Sequence, residues 1–192
     1  RSFESGMPCV RLRCQQDWVL ANSTNWPLPL EGQAQLRDWL ILGQFGPQTN
    51  QTTALSYNYI TESTIQPSLG TVTSNKTWFR NDNTFDFWGD GEAVPLYYWP
   101  NCDYYTVYAH AYVWSPVAQS VDMMVRSDDG VKVRVNGTQT RTYDVSRGCP
   151  DAEDRWTVSL VSGWNRVLFK VHNATEGFGF GCRFVQQGTN TP

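Results

Sequence analysis

The sequence predicts an antiparallel β-sandwich or barrel, and three observations carry that prediction. Apolar and polar residues alternate with a period of two in about ten short runs spread over the whole chain. Clusters of Gly, Pro, Asn, Asp and Ser separate these runs at intervals of roughly 8–12 residues, the spacing of all-β sandwiches. Composition agrees: nine each of Trp, Tyr and Phe, with 15 Gly and 10 Pro in 192 residues, favours strands and loops over helices. A chain of this length fits one domain with a full core.

The elements follow in order. Val10 to Cys14, Trp18 to Leu20 and Asp38 to Leu42 alternate and read as strands, although Leu36 to Leu42 is also the one segment that helical spacing would fit. Residues 43–76 are polar and rich in Gly, Pro, Asn and Thr, with Leu55, Tyr57, Tyr59 and Ile60 as apolar anchors; they read as a long excursion, either functional or docked on the surface. Trp78-Phe79 and Phe85 to Trp88 are short strand candidates. Tyr104 to Trp114, Ser120 to Ser127 and Val131 to Val135 are clearer, and they end at Asp128-Asp129-Gly130 or Asn136-Gly137, both turn signals. Trp156 to Val161, Asn165 to His172 and Phe178 to Val185 complete the set. Phe178, Phe180 and Phe184 share a face and are core candidates, while Gly177, Gly179 and Gly181 leave the opposite face flat. The organisation expected is residues 1–37 as N-terminal strands or an extension packed on the domain, 38–185 as the sandwich, and 186–192 as the start of a linker to a neighbour.

Charge narrows the function. Charged residues make up 17% of the chain and sum to a net charge of −3, which argues against a phosphate-driven nucleic-acid partner. No apolar run approaches the roughly 18–20 residues of a membrane-spanning helix. The five cysteines, at 9, 14, 102, 149 and 182, follow no zinc spacing and have two histidines for company. Cys9 with Cys14 and Cys102 with Cys149 are the pairs that could close bridges, and Cys182, inside a strand, is expected to be a buried thiol. Five Asn-x-Ser/Thr triplets, beginning at Asn22, Asn50, Asn75, Asn136 and Asn173, fit an extracellular address, secreted or cell-surface.

The stretches Met123 to Gly137 (MMVRSDDGVKVRVNG), Val161 to Phe169 (VSGWNRVLF) and Gly177 to Phe184 (GFGFGCRF) together resemble the galactose-binding-like jelly-roll domains that accompany polysaccharide-degrading enzymes. The resemblance covers about residues 38–185. It implies a jelly-roll sandwich and a carbohydrate-binding module, with a polysaccharide or oligosaccharide as partner and a catalytic domain elsewhere in the same chain. The Asp-Asp-Gly hairpin is also similar to PA14-type adhesive domains, which gives the alternative of an adhesin, spacer or interaction domain without sugar binding.

The candidate sugar site is the aromatic stretch from Trp78 to Trp99. Flat rings stack on the C–H face of a pyranose while carboxylates and amides hold its hydroxyls, and here eight aromatics lie among Asp, Asn and Gly. Trp88 and Trp99 are the first choices, then Trp78 and Tyr98, with Asp90 and Glu92 as hydroxyl partners. Trp164 is expected to cap one end of the core, and Trp156 either rims a site or begins a strand. Arg126 and Arg134 would share one outward sheet face by parity. At Asp128-Asp129-Gly130 the turn reading has Gly130 at positive φ; the same carboxylates suit calcium, as does the looser group Asp82, Asn83, Asp86 and Asp90. No cofactor is required, and structural calcium is the metal these groups would accept. Motifs for nucleophilic, metal or phosphate chemistry are lacking, so a non-catalytic domain is expected.

Overall fold

The computed structural model describes residues 9–11, 34–36, 39–81, 94–95, 102–148, 153–175 and 178–188. Among the described residues the strands are β1 (Cys9–Arg11), β2 (Ala34–Gln35), β3 (Trp39–Phe45), β4 (Val72–Thr73), β5 (Lys76–Thr77), β6 (Phe79–Asn81), β7 (Val94–Pro95), β8 (Thr106–Ser115), β9 (Gln119–Asp128), β10 (Gly130–Val135), β11 (Thr138–Tyr143), β12 (Asp154–Leu160), β13 (Gly163–His172) and β14 (Gly179–Gln186), with one helix, α1 (Gln51–Ser56). One sheet runs β11-β10-β13-β8-β3-β6, with β1 parallel to the far end of β8; the other runs β12-β9-β14-β2, with β7 beside β14. The molecule is an all-β, predominantly antiparallel sandwich, as the alternation requires.

Parity decides which side chains meet between the sheets. From β8, β10 and β13, Val107, Ala109, Ala111, Val113, Val131, Val133, Val135, Val167, Phe169 and Val171 face inward and meet Val121, Met123, Val125, Phe180, Cys182 and Phe184 of the second sheet. Trp39 bridges the layers, its ring 5.2 Å from Phe169 and 4.9 Å from Phe180, and its indole N–H donates to the Leu36 carbonyl at 2.9 Å. Cys182 is a buried free thiol in this layer, as expected, and Cys102 is a half-buried free thiol and not half of a bridge. Cys14 and Cys149 lie outside the described residues.

Two turns differ in kind. Asn136 and Gly137 take positive φ of 52° and 85°, the geometry a two-residue hairpin demands, and join β10 to β11. Asp128-Asp129-Gly130 instead carries the chain from one sheet to the other, between β9 and β10. Gly130 does not occupy the left-handed region; a Cβ there would lie 2.8 Å from Gln51 Cδ and 3.0 Å from Leu55 Cδ1, so the glycine lets the α1 side chains pack close over the strand. Asp129 is buried, and its carboxylate accepts from Arg147 N–H (2.7 Å), Ser146 Oγ (3.1 Å) and Ala174 N–H (2.7 Å), tying two loops together. Arg126 and Arg134 lie on strands of different sheets, so they share no face.

The excursion after β3 is docked. Asn50 caps α1, its side-chain oxygen accepting from Thr53 N–H at 2.8 Å, and the helix turns Ala54 and Leu55 inward over β10 and β13. Ile60 and Trp78 then pack with Leu40, Leu42, Phe45, Tyr108 and Leu168, a second apolar cluster on the outer face of the larger sheet. Within the Leu36 to Leu42 segment, Trp39 to Leu42 lie in strand β3, and residues 37–38 lie outside the described residues.

Candidate functional site

Of the expected sugar-binding residues, Trp88, Trp99, Tyr98, Asp90 and Glu92 lie outside the described residues, as do Asp82, Asn83 and Asp86. Trp78 is described, and its expected exposure is corrected: it has no solvent-accessible surface. Its indole N–H donates to Thr73 Oγ1 at 3.0 Å and its ring meets His110 edge-on at 6.3 Å, because the β4–β5 hairpin folds it under the excursion. Trp78 therefore builds the second cluster and offers no face to a ligand.

Trp164 reverses in the other direction. Even-numbered residues of β8 and β13 point to the outer face of the larger sheet, so Trp164 faces out and does not cap the core. It lies opposite Trp114 in register, the two rings 5.2 Å apart at 70°. Both are about two-fifths exposed, at 38% and 39%, and Val117 and Val161 beside this end are exposed as well. The neighbouring Asn165 is buried and structural: its amide donates to the carbonyls of Val161 (2.9 Å) and Gly163 (3.1 Å) and accepts from Val161 N–H (2.9 Å). Arg166 reaches the excursion, donating to the carbonyl of Ile65 at 3.0 Å. Trp156 is half-buried on β12 against Tyr143, a packing position.

Farther along the same face lies a charged knot. Glu62 of the excursion is buried, with Oε2 2.7 Å from Lys132 Nζ and 3.1 Å from Arg134 Nε, and Oε1 3.1 Å from Lys170 Nζ and accepting from the Tyr108 hydroxyl at 2.8 Å. Burial opposes ionisation of Glu62, but Lys132, Lys170 and the Tyr108 hydroxyl outweigh it and hold the carboxyl below its ordinary range. Burial, reinforced by the Glu62 charge, pushes the Tyr108 phenol far up, so it remains a proton donor. Desolvation lowers Lys170 to about 8 despite the pull of Glu62, and Lys132 adds repulsion. Lys170 also donates to the carbonyls of Leu55 and Tyr57. His110 is wholly buried beside Tyr112, 4.6 Å between rings; desolvation, then the Arg166 charge, lowers its pKa to about 3 and keeps it neutral.

Over Lys132 and Arg134, between α1 and the β10–β11 hairpin, a depression of about 330 Å³ opens to solvent. This knot was hidden from sequence reasoning because Glu62 sits in a polar loop; the signal was Lys132, Arg134 and Lys170 alternating with core valines and Phe169 on adjacent strands. Among the described residues no group of three or more His, Cys, Asp or Glu side chains is placed to hold a metal ion. Nor is any helix there long and apolar enough to cross a membrane.

No protein-family model and no curated protein sequence matches the chain. Among solved structures it is similar to the PA14 domain of the MpAFP antifreeze protein, at 22% identity over 45% of each chain with a TM-score of 0.37. It is also similar to a family 35 carbohydrate-binding module from Clostridium thermocellum, at 17% identity over 42% of this chain and 71% of that one, TM-score 0.31. Ruminococcus gnavus β-glucuronidase aligns with 84% of this chain but 30% of its own, at 10% identity and a TM-score of 0.43. The chain thus spans less than half of the PA14 structure and under a third of the glucuronidase.

Proposed function

We propose that the chain is a non-catalytic carbohydrate-binding module of a secreted or cell-surface glycan-active protein, holding a catalytic domain of the same chain on polysaccharide. The observation that carries this reading is the exposed Trp114–Trp164 pair, two indoles on one sheet face at an end that the excursion leaves uncovered. Such rings offer a C–H face of a sugar a stacking surface. Trp88, Trp99, Tyr98, Asp90 and Glu92 belong to the same proposal on the sequence argument. No cofactor is part of this function; structural calcium is tested alongside it.

A second reading, an adhesive or interaction domain, is favoured by Val117 and Val161, which are 46% and 52% exposed next to the tryptophans and extend the patch with apolar surface. A screen of the purified domain against soluble and insoluble polysaccharides and a glycan array, with and without EDTA, separates the two. Retention on one glycan class, lost in folded Trp114→Ala, Trp164→Ala, Trp88→Ala or Trp99→Ala, supports the module and locates its site. A negative across plant, fungal, bacterial and host glycans supports the interaction domain. Loss of binding in EDTA assigns calcium a role.

A further inference from the structure

The knot is unbalanced in charge, and the imbalance opens onto the depression. Three cations, Lys132, Arg134 and Lys170, converge on the single carboxylate of Glu62. Arg134 gives Nε to Glu62 and Nη1 to the Gly137 carbonyl at 3.0 Å, so its Nη2 has no acceptor among the described residues. That nitrogen belongs to a side chain which lines the depression and keeps 18% of its surface exposed. Lys132 lines it as well, although its side chain is 6% exposed. Asp144 stands at the rim, but its two oxygens already accept from Gln51 Nε2 and Thr52 Oγ1. Its negative charge leaves the Lys132–Arg134 side as the favourable approach for an anion. Opposite, Gln139 and Thr142 supply neutral polar groups from the exposed strand β11.

We infer that this depression is an anion-binding site, taking the oxyanion group (sulfate, phosphate or carboxylate) of a small polar molecule on Arg134 Nη2 and Lys132 Nζ. A guanidinium N–H and an ammonium side by side match two oxygens of such a group. The volume of about 330 Å³ equals roughly ten waters at about 30 Å³ each, room for an oxyanion together with a small hydroxylated body such as one sugar ring. The depressed pKa of Lys170 reflects burial and the repulsion that a bound anion would relieve. The site is separate from the tryptophan patch and stands whether or not that patch binds glycan.

The test is a heteronuclear NMR titration of the whole domain with sodium sulfate, sodium phosphate, sodium acetate, glucose 6-phosphate and glucose 6-sulfate. Sodium chloride holds ionic strength constant, and glucose is the uncharged control. The expected result is a saturable shift of the Arg134 side-chain N–H signals and of the β10 and β11 amides, with a Kd of about 1–10 mM for the inorganic ions. Tenfold tighter binding of the sugar esters would assign the site to an anionic substituent; equal affinity would assign it to the free ion. Thr142→Glu places a carboxylate at the mouth without touching the Glu62 contacts, and is expected to weaken binding at least tenfold while leaving the melting temperature unchanged. Shifts no larger than those produced by chloride overturn the inference, as does undiminished binding in folded Thr142→Glu.

Discussion

Along the outer face of the larger sheet, β8 and β13 present opposite environments at their two ends. Toward Thr106 and His172 the face is roofed by α1 and the loop after it, and beneath that roof lie Tyr108, Lys170, Leu168 and His110, buried and mostly polar. Toward Ser115 and Gly163 the roof stops, and the same two strands carry Trp114 and Trp164 into solvent. The covered end thus buries charges beside an apolar cluster that includes the Trp78 indole, while the open end shows two further indoles to solvent. The covered end can hold charges because each has partners, while the open end leaves about two-fifths of each large apolar ring in solvent.

The largest effect that would break this comparison is one of pH. His110 is neutral in the folded chain with its pKa lowered from 6.5 to about 3, so between these values the unfolded chain binds more protons and stability falls as the pH falls. The loss expected over that window is on the order of 5 kcal/mol, and His110→Phe should flatten the slope in urea unfolding measured from pH 7 to pH 3. An unchanged slope would mean that the roof opens to water before His110 charges. Next in size is Glu62→Ala, which strands three cations under the roof and is expected to destabilise by about 3–5 kcal/mol in denaturant melts. Gly137→Ala should cost about 1–3 kcal/mol, since Gly137 has φ of 85° and an added Cβ would run into the Ser63 carbonyl of the roof. If hydrogen exchange shows the roof alone loosened, the two ends are energetically separable. Smallest is Trp164→Ala, expected to cost about 0.5–1.5 kcal/mol by calorimetry because only part of the ring is buried. A larger loss would make Trp164 a structural residue after all.

The inner face was legible because it obeys one rule. Val131, Val133 and Val135, or Val167, Phe169 and Val171, alternate with polar residues, and the period of two fixes both strand and orientation. Asn136-Gly137 was legible for the same local reason, its backbone geometry being demanded by the residues themselves. What lay beyond reach depended on docking. Helix α1 is six residues of Gln, Thr, Ala, Leu and Ser, too short for a helical period, and it is held by the Asn50 cap and by Leu55 against the sheet. Strand β11 is Thr-Gln-Thr-Arg-Thr-Tyr, an edge strand with little to bury. Trp78 and Trp164 exchanged their expected environments because exposure depends on where the roof ends, which no spacing within the chain records. Glu62 reads as a solvated loop charge until the loop is folded back onto Lys132 and Lys170.

Cys182 has a practical consequence. Its thiol sits in the layer between the sheets, and burial raises its pKa well above the ordinary value, so in the folded chain it is both shielded and protonated. An alkylating reagent can reach it only when the two sheets part. The rate at which the Cys182 peptide becomes labelled, read by mass spectrometry against that of the half-buried Cys102, is therefore a clock for separation of the sandwich, supplied by the protein without an added probe.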